Sequence, residues 1–296
     1  MGLEAQSISV SYGEDLILEA LNLQIPKGKV TVFIGKNGCG KSTLLSTFAR
    51  LIKPSDGSIV LNGRDIAKTA TKKVARDLAL LPQGPVAPEG LTILQLVSQG
   101  RYPYQNWLNK WSDEDEKIVQ HALKVTNLEE ISERPVDSLS GGQRQRAWIA
   151  MVLAQNTDIL LLDEPTTYLD LAHQVDILDL LFALNRTEKR TIAMVLHDIN
   201  LACRYADHIV AVNDKKIYAQ GAPEEIINSR LMKDVFQMDA EIIMDPIFGT
   251  PMCIPYGRGR NLLKQKQQED YPITNTLPEE KVEHLEITQP DLSNTF

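Results

Sequence analysis

Cysteine is scarce in this 296-residue chain. Its three copies, Cys39, Cys203 and Cys253, lie far apart and show no CxxC or Cys/His ligand spacing. This argues against a disulfide framework or a zinc site, and it favours a reducing cytoplasm. The chain also lacks any apolar run near the ~18 residues that a membrane helix needs. Its start, MGLEAQSISVSYGEDLIL, is acidic and interrupted, so we do not expect a signal peptide.

An excess of basic residues is also missing. The chain has 31 Lys and Arg against 39 Asp and Glu, which gives a net charge of −8 and a pI near 5.3. General nucleic-acid binders usually carry a basic footprint, so no nucleic-acid partner is expected. The composition is 43% hydrophobic and 24% charged, which is typical of a globular protein that buries a core.

Short buried strands alternate with amphipathic helices along the chain. KSTLLSTFARLI (41–52), for example, is predicted to be a helix, and LAHQVDILDLLFALNRTE (171–188) another. This alternation predicts a parallel α/β core. The start is predicted to form short extended segments in a meander, and a β-hairpin is expected to turn at 213–215. The strands of the core are predicted in KVTVFIG (29–35), LALLPQ (78–83), DILLLDEP (158–165) and RTIAMVLHDI (190–199).

The composition changes near residue 261. From there to Phe296 the chain has three Lys, no Arg and seven acidic residues, and it loses sustained periodicity. We therefore expect a main domain over residues 1–260, with a helical segment at about 84–155. Residues 261–296 are expected to form an acidic extension that is mobile or loosely docked.

The glycine-rich stretch GKNGCGKS (35–42) lies between a predicted strand and a predicted helix, and it fits the pattern G-x-x-x-x-G-K-[ST]. Glycines let backbone N–H groups point at phosphate oxygens, and the helix N-terminus adds its free N–H groups and dipole. Lys41 would reach the β- and γ-phosphates, and Ser42 would bind Mg²⁺. The alternative is a chance glycine-rich turn. Cys39 stands at a free x position of the pattern and is expected to be small, inert filler and not a redox switch. The predicted nucleotide-binding residues here are Gly35, Lys36, Asn37, Gly38, Cys39, Gly40, Lys41, Ser42 and Thr43.

A phosphate loop of this kind needs a second strand that ends in carboxylates, and ILLLDE supplies it. Asp163 would help to hold Mg²⁺. Because neighbouring side chains on a strand point in opposite directions, Glu164 can face a different target, and we expect it to position the attacking water. The alternative, two exposed loop acids, fits poorly after so buried a strand. These features predict nucleotide hydrolysis but do not say what it drives.

The stretch LSGGQRQR (139–146), just ahead of the DILLLDEP strand, resembles the signature of ABC-type ATPases. The resemblance implies a P-loop NTPase fold with a RecA-like parallel-sheet core, an antiparallel β-subdomain and an α-helical signature subdomain. In this family the signature of one subunit faces the phosphate loop of the other, so a two-fold dimer completes both ATP sites. The signature residues implied to contact the partner's nucleotide are Ser140, Gly141, Gly142 and Gln143.

The same resemblance assigns four further positions. Tyr12 resembles the aromatic residue that stacks on adenine, although it could be a surface tyrosine. Gln83 resembles the glutamine that contacts Mg²⁺ and the attacking water and links to the membrane partner. Asp170 resembles the aspartate of the loop that crosses between subunits, and His197 resembles the switch histidine that contacts the γ-phosphate. The other four histidines match no catalytic position and are expected on the surface or on helices: His121, His173, His208 and His284.

Three stretches resemble the ATP-binding subunits of iron(III)–siderophore importers: QGRYPYQ (99–105), DEPTTYLDLAHQVDIL (163–178) and DPIFGTPMCIPYGRGR (245–260). The resemblance implies a peripheral ATPase at the cytoplasmic face of the membrane. Its partners would be transmembrane permease subunits, a second ATPase subunit and, indirectly, a substrate-binding protein. Haem, cobalamin or another metal chelate stay open as cargo. Lys36 departs from the family, in which proline is common at this position.

Two other classes stay as alternatives. A non-transport ABC ATPase would usually show a coiled-coil insert or a second cassette, and an exporter half would normally carry its own membrane spans. Neither feature is present in the sequence.

Overall fold

The computed structural model describes residues 2–105 and 111–257. The strands in this part of the chain are β1 (Leu3–Tyr12), β2 (Asp15–Ile25), β3 (Val30–Ile34), β4 (Asp56–Leu61), β5 (Arg64–Asp65), β6 (Leu78–Leu81), β7 (Ile159–Leu162), β8 (Thr191–Val195), β9 (His208–Asn213), β10 (Lys216–Gly221), β11 (Ala240–Met244) and β12 (Pro251–Pro255). The helices are α1 (Lys41–Phe48), α2 (Thr71–Asp77), α3 (Ile93–Gln99), α4 (Asp113–Val125), α5 (Gly141–Ala154), α6 (Leu171–Glu188), α7 (Ile199–Tyr205), α8 (Pro223–Ile226) and α9 (Ser229–Phe236).

A six-stranded sheet in the order β10-β9-β3-β8-β7-β6 forms the core. All its pairings are parallel except that of β9 with β10, which form a hairpin. Every residue of β3, β7 and β8 is buried, as expected for parallel strands covered on both faces. Side chains alternate between two apolar clusters, so Val32 packs into one and Phe33 into the other. The predicted parallel α/β core is confirmed.

A second sheet is antiparallel and has the order β2-β1-β4-β5. The expectation of short segments at the chain start is wrong, because β1 has 10 residues and β2 has 11. Register shifts interrupt their pairing near Ser7 and Ala20, and both residues have positive φ. Such irregularities bend and twist a long strand pair, so a bent pair replaces the predicted short segments.

Helices α3, α4 and α5 lie between β6 and β7 in the chain and pack against one another. A buried ion pair joins them, because Nε of Arg101 lies 2.8 Å from Oδ1 of Asp115, and Arg101 also donates to the carbonyl of Ala154. The structure therefore contains the α-helical subdomain that the family resemblance implies. The predicted limits of 84–155 remain a prediction, and the acidic extension at 261–296 lies outside the described residues.

The end of the described chain carries α8, α9 and the hairpin β11–β12. Of the four histidines without an assigned role, His121 and His173 lie on helices as expected, and His284 is outside the described residues. His208 differs: it is half-buried at the start of β9, because that strand lies beside the central strand β3. No helix in the described residues is both long enough and apolar enough to cross a membrane.

Candidate functional site

Four neighbouring strands of the core sheet deliver polar side chains to one edge. The glycine-rich loop follows β3, Glu164 comes two residues after β7, and His197 comes two residues after β8. Gln83 comes two residues after the edge strand β6. Because the carboxyl ends of parallel strands meet at the same edge of a sheet, these side chains converge, as ligand sites in open α/β sheets do.

The glycine-rich loop has a backbone that side chains would not tolerate. Gly35, Gly38 and Gly40 have φ of 145°, 78° and 101°. A methyl group added at Gly35 would lie 2.3 Å from the carbonyl oxygen of Val212. Glycine is therefore required both for the left-handed backbone and for the close approach to the neighbouring strand.

Lys41 begins α1 and is only 5% exposed. Its Nζ donates to the carbonyl oxygens of Gly35 and Lys36, at 2.9 and 2.8 Å. The loop thus folds around a buried ammonium group that has no carboxylate among these hydrogen-bond partners. A phosphate oxygen beside it would supply the missing negative charge, so the donor set fits an anionic nucleotide.

Ser42 and Asp163 meet across the sheet edge. The Ser42 hydroxyl donates to Oδ1 of Asp163 over 2.9 Å. Burial raises the pKa of Asp163 above its usual range, although the hydrogen bond from Ser42 acts in the opposite direction. A hydroxyl and a buried carboxylate are hard oxygen ligands of the kind that Mg²⁺ takes in phosphate sites, so these residues fit that ion.

Glu164 is held by three neighbours. Its Oε1 lies 2.6 Å from Nε2 of His197, and its Oε2 accepts hydrogen bonds from Gln83 at 2.7 Å and Thr167 at 2.8 Å. Burial raises the pKa of Glu164, but hydrogen bonds from His197, Thr167 and Gln83 outweigh burial and hold this pKa below its ordinary value. Glu164 therefore stays ionised and oriented, as a group that accepts a proton must be.

A cavity of about 540 Å³ joins the glycine-rich loop to this cluster. The sequence did not point to Ile17, Thr167 or Tyr168 as lining residues. Thr167 follows Glu164 by three positions, but this spacing becomes a contact only through the turn at Glu164, and nothing local marks Ile17 or the 93% exposed Tyr168. The lining consists of Ile17, Asn37, Gly38, Gly40, Lys41, Ser42, Thr43, Gln83, Glu164, Thr167, Tyr168 and His197.

Some predicted site residues lie elsewhere. Tyr12 ends β1 and is exposed, outside the lining of this cavity. Lys36 and Cys39 line a neighbouring cavity of about 340 Å³. The signature residues and Asp170 are also absent from the described lining of the 540 Å³ cavity. One copy of the chain thus brings together the phosphate loop, Asp163, Glu164, Gln83 and His197. It does not bring Tyr12, Asp170 or the signature residues to this cavity.

The signature segment begins α5. The Ser140 side chain accepts a hydrogen bond from the backbone N–H of Gln143, and the Gln143 side chain accepts one from the N–H of Ser140. This reciprocal cap satisfies donors that a helix N-terminus leaves open. Ser140 and Gly141 remain exposed at the end of a 14-residue helix, where its dipole favours an anion.

Comparison with known proteins identifies the class to which this fold and site belong. The profile of the ABC transporter family matches residues 18–167, about half of the chain, and the chain belongs to this family. The fold and the ATP-binding ATPase character implied by the resemblance are therefore confirmed.

Relatives with assigned names show which members of the ABC transporter family this chain resembles strongly in sequence. The petrobactin import ATP-binding protein FpuD of Bacillus anthracis is 63% identical over 263 residues, which cover 89% of this chain and 96% of that protein. The achromobactin transport ATP-binding protein CbrD of Dickeya dadantii is 59% identical over 256 residues, which cover 86% and 95%. These similarities confirm the resemblance to ATP-binding proteins of siderophore importers.

A solved structure gives the same fold. A dimeric bacterial ABC transporter cassette superposes with a TM-score of 0.66 at 30% identity, covering 74% of this chain and 98% of that one. That cassette is a dimer, which agrees with the incomplete set of predicted site residues around the cavity of one copy here.

Proposed function

We propose that this chain is the ATP-hydrolysing subunit that energises an importer of iron(III)–siderophore complexes. The observation that carries the cargo class is the identity of about 60% with FpuD and CbrD over nearly the whole of all three chains. Those two proteins are named for different siderophores, so the similarity supports the cargo class and does not select one siderophore.

The glycine-rich loop is the proposed ATP site. Lys41 would balance phosphate charge from within the loop, and the backbone N–H groups around Gly38 and Gly40 would donate to phosphate oxygens. Ser42, Asp163 and Gln83 would hold Mg²⁺, which when bound neutralises charge on the phosphates. Tyr12 is proposed to stack on the adenine. The 2.9 Å contact of Ser42 with Asp163 supports the assignment of these two residues, and the family resemblance supports those of Gln83 and Tyr12.

Glu164 is proposed as the group that orients the attacking water and accepts its proton. His197, Gln83 and Thr167 fix both carboxylate oxygens of Glu164, within 2.6 to 2.8 Å. A base held in this way needs no reorganisation at the moment of reaction, which is the main protein contribution to phosphoryl transfer. His197 is also proposed to contact the γ-phosphate.

A second copy of this chain is proposed to complete each site. Ser140, Gly141, Gly142 and Gln143 would reach the γ-phosphate that the partner holds, and Asp170 would lie on the loop that crosses between copies. ATP would bind the closed dimer more tightly than the open one, and only such a difference in affinity can shift the population from open to closed dimers.

Closure of the dimer would drive a conformational change in transmembrane permease subunits, with a substrate-binding protein acting on the far side of those subunits. The chain would thus sit at the cytoplasmic face of the membrane, without a nucleic-acid partner.

The deciding experiment is uptake in cells that lack this gene, with a panel of labelled ferric siderophores, haem and cobalamin. We expect loss of one or several ferric-siderophore uptakes, restored by the wild type and not by Glu164→Gln. Glu164→Gln is the matched control because it keeps the size of the side chain and removes the basic carboxylate.

Other results would change the proposal in defined ways. Normal ferric-siderophore uptake with lost haem or cobalamin uptake would change the proposed cargo to haem or cobalamin, and the chain would still be assigned as an importer ATPase. Normal uptake of every compound, together with failure to co-purify with any membrane permease, would overturn the transport function and favour a non-transport ATPase.

A further inference from the structure

The N-terminal ends of α5 and α6 pack against each other within one copy of the chain. A methyl group added at Gly141 would lie 3.7 Å from Cδ2 of Leu169. One turn further along, Nη2 of Arg146 lies 3.7 Å from Oδ2 of Asp176. Between these two contacts, His173 faces Gly142. The start of the signature helix and the loop before α6 therefore share an interface.

The imidazole of His173 fills the space that a side chain at position 142 would need. A methyl group added at Gly142 would lie 2.4 Å from Cδ2 of His173 and 3.1 Å from both Cγ and Nε2. Gly142 is buried and lies within the helix, so its lack of a side chain is not explained by a left-handed backbone. A side chain at position 142 would therefore displace the imidazole ring of His173 from this place.

The other side of the same ring holds Asp170. Nδ1 of His173 lies 2.7 Å from Oδ1 of Asp170, and the backbone N–H of His173 donates to that same oxygen over 2.9 Å. Asp170 is the N-cap residue of α6, and the hydrogen bond from the backbone N–H of His173 is its capping bond. The hydrogen bond to the imidazole ring is a second restraint on the same carboxylate. These two bonds lower the pKa of Asp170, the backbone bond most strongly, so Asp170 is an ionised acceptor.

We propose that His173 is a positioning residue that couples Asp170 to the signature residue Gly142, so that a second copy of the chain meets both in a fixed arrangement. This inference rests on the proposed function, because it requires the ATP-bound dimer. His173 lines no part of the described ATP cavity, and it acts through its two neighbours. It lowers the cost of closure by holding the two surfaces in place beforehand.

The test measures ATP-dependent dimerisation in the Glu164→Gln background, by sedimentation with MgATP. His173→Ala removes both contacts of the ring. His173→Asn keeps a donor near the position of Nδ1 and loses only the packing on Gly142. His121→Ala is the matched control, because His121 is an exposed helical histidine whose partner is Glu188.

We expect His173→Ala to weaken dimerisation about tenfold or more, because Asp170 and Gly142 of each copy are then no longer held in place before the dimer closes. His173→Asn should lose less, and His121→Ala should match its parent. The affinity for MgADP should stay unchanged in all variants, because ADP lacks the γ-phosphate that the second copy would contact. A residue needed only for folding would also lower MgADP binding and the melting temperature of the monomer.

The outcomes separate the inference from the function on which it rests. If Glu164→Gln alone stays monomeric with MgATP, the proposed dimer fails, and the role of His173 fails with it. If that parent dimerises and His173→Ala dimerises equally well, only the role of His173 is overturned. Equal losses in His173→Ala and His173→Asn would overturn the assignment to the Asp170 bond. If His173→Ala does not fold, His173→Asn still decides, because dimerisation equal to the parent would overturn the coupling through Gly142.

Discussion

Nε2 of His197 lies 2.6 Å from Oε1 of Glu164, so the histidine after one core strand holds the carboxylate after the next. The two side chains come from adjacent parallel strands, β8 and β7. Glu164 itself has a φ of 53°, an uncommon conformation for a residue with a side chain. The sheet thus keeps Glu164 in a strained turn from which its carboxylate reaches His197, Gln83 and Thr167 together.

Thr167 is the member of this cluster that is easiest to test. Thr167→Val removes the hydrogen bond to Oε2 of Glu164 and keeps the shape of the side chain. The pKa of Glu164 should rise as a result, so the acid limb of the pH profile of kcat should move to higher pH. ATPase activity at neutral pH should fall about tenfold. Thr167→Ser keeps the hydroxyl and serves as the control, and a wild-type pH profile in Thr167→Val would contradict the prediction.

Lys41→Ala should weaken ATP binding by about a hundredfold, because it removes the buried cation of the phosphate loop. The measurement is isothermal titration with ATP. Lys53→Ala is the control, since Lys53 is an exposed lysine outside the loop. Equal affinity of Lys41→Ala and wild type would show that the loop does not bind phosphate through this residue.

Asp163→Asn should remove the Mg²⁺-dependent part of stabilisation by ATP. A ligand that binds only the folded state raises the melting temperature, and it does so more strongly the tighter it binds at a given concentration, so wild type should melt higher with ATP and Mg²⁺ than with ATP and a chelator. That difference should shrink in Asp163→Asn. It should persist in Asp158→Asn, which alters an exposed acid just before the same strand. A full Mg²⁺ effect in Asp163→Asn would exclude this carboxylate as a ligand.

Arg101→Ala should destabilise the protein by about 3–5 kcal/mol, because it leaves the buried carboxylate of Asp115 unpaired. The two residues are 3% and 5% exposed. Urea unfolding gives the value. The control is Arg230→Ala, whose ion pair with Asp234 is exposed and should contribute little to stability, because solvent screens the two charges. Similar losses in the two variants would contradict the prediction.

The Arg101 pair also has a predictable pH dependence. Burial raises the pKa of Asp115, but hydrogen bonds from Arg101 and Ser112 outweigh burial and hold this pKa below its usual value. A depressed folded-state pKa gives stability that is present above the unfolded-state pKa and lost as the pH falls through the folded-state value. The difference in stability between wild type and Arg101→Ala should therefore shrink in acid.

Local sequence signals predicted much of the fold. Helix α6 spans the predicted residues 171–188, because Asp170 supplies its N-cap and an apolar pattern runs through it. Helix α1 shows where such signals fail, since it ends at Phe48 and not at residue 52 as predicted. Arg50 has a φ of 63°, and its guanidinium donates to the carbonyls of Ile66 and Thr69. Partners distant in sequence therefore set the end of this helix.

The candidate site also contains residues that local sequence predicts and residues that it does not predict. Lys41, Ser42, Asp163 and Glu164 follow from motifs in which the residue type and the neighbouring strand predict the chemistry. Thr167 escaped prediction because its contact depends on the left-handed turn at Glu164, which the sequence does not reveal. The packing of His173 on Gly142 escaped for another reason: it joins two helices, and no spacing within either helix encodes it.

The cap of α5 has a consequence for how the signature segment can act. The oxygen of Ser140 uses a lone pair to accept the N–H of Gln143, and a hydroxyl that accepts in this way still has its proton to give. The serine can therefore keep its helix intact and donate outward at the same time. An anion that arrives at this helix finds the hydroxyl already anchored, so no turn of the helix has to unwind to receive it.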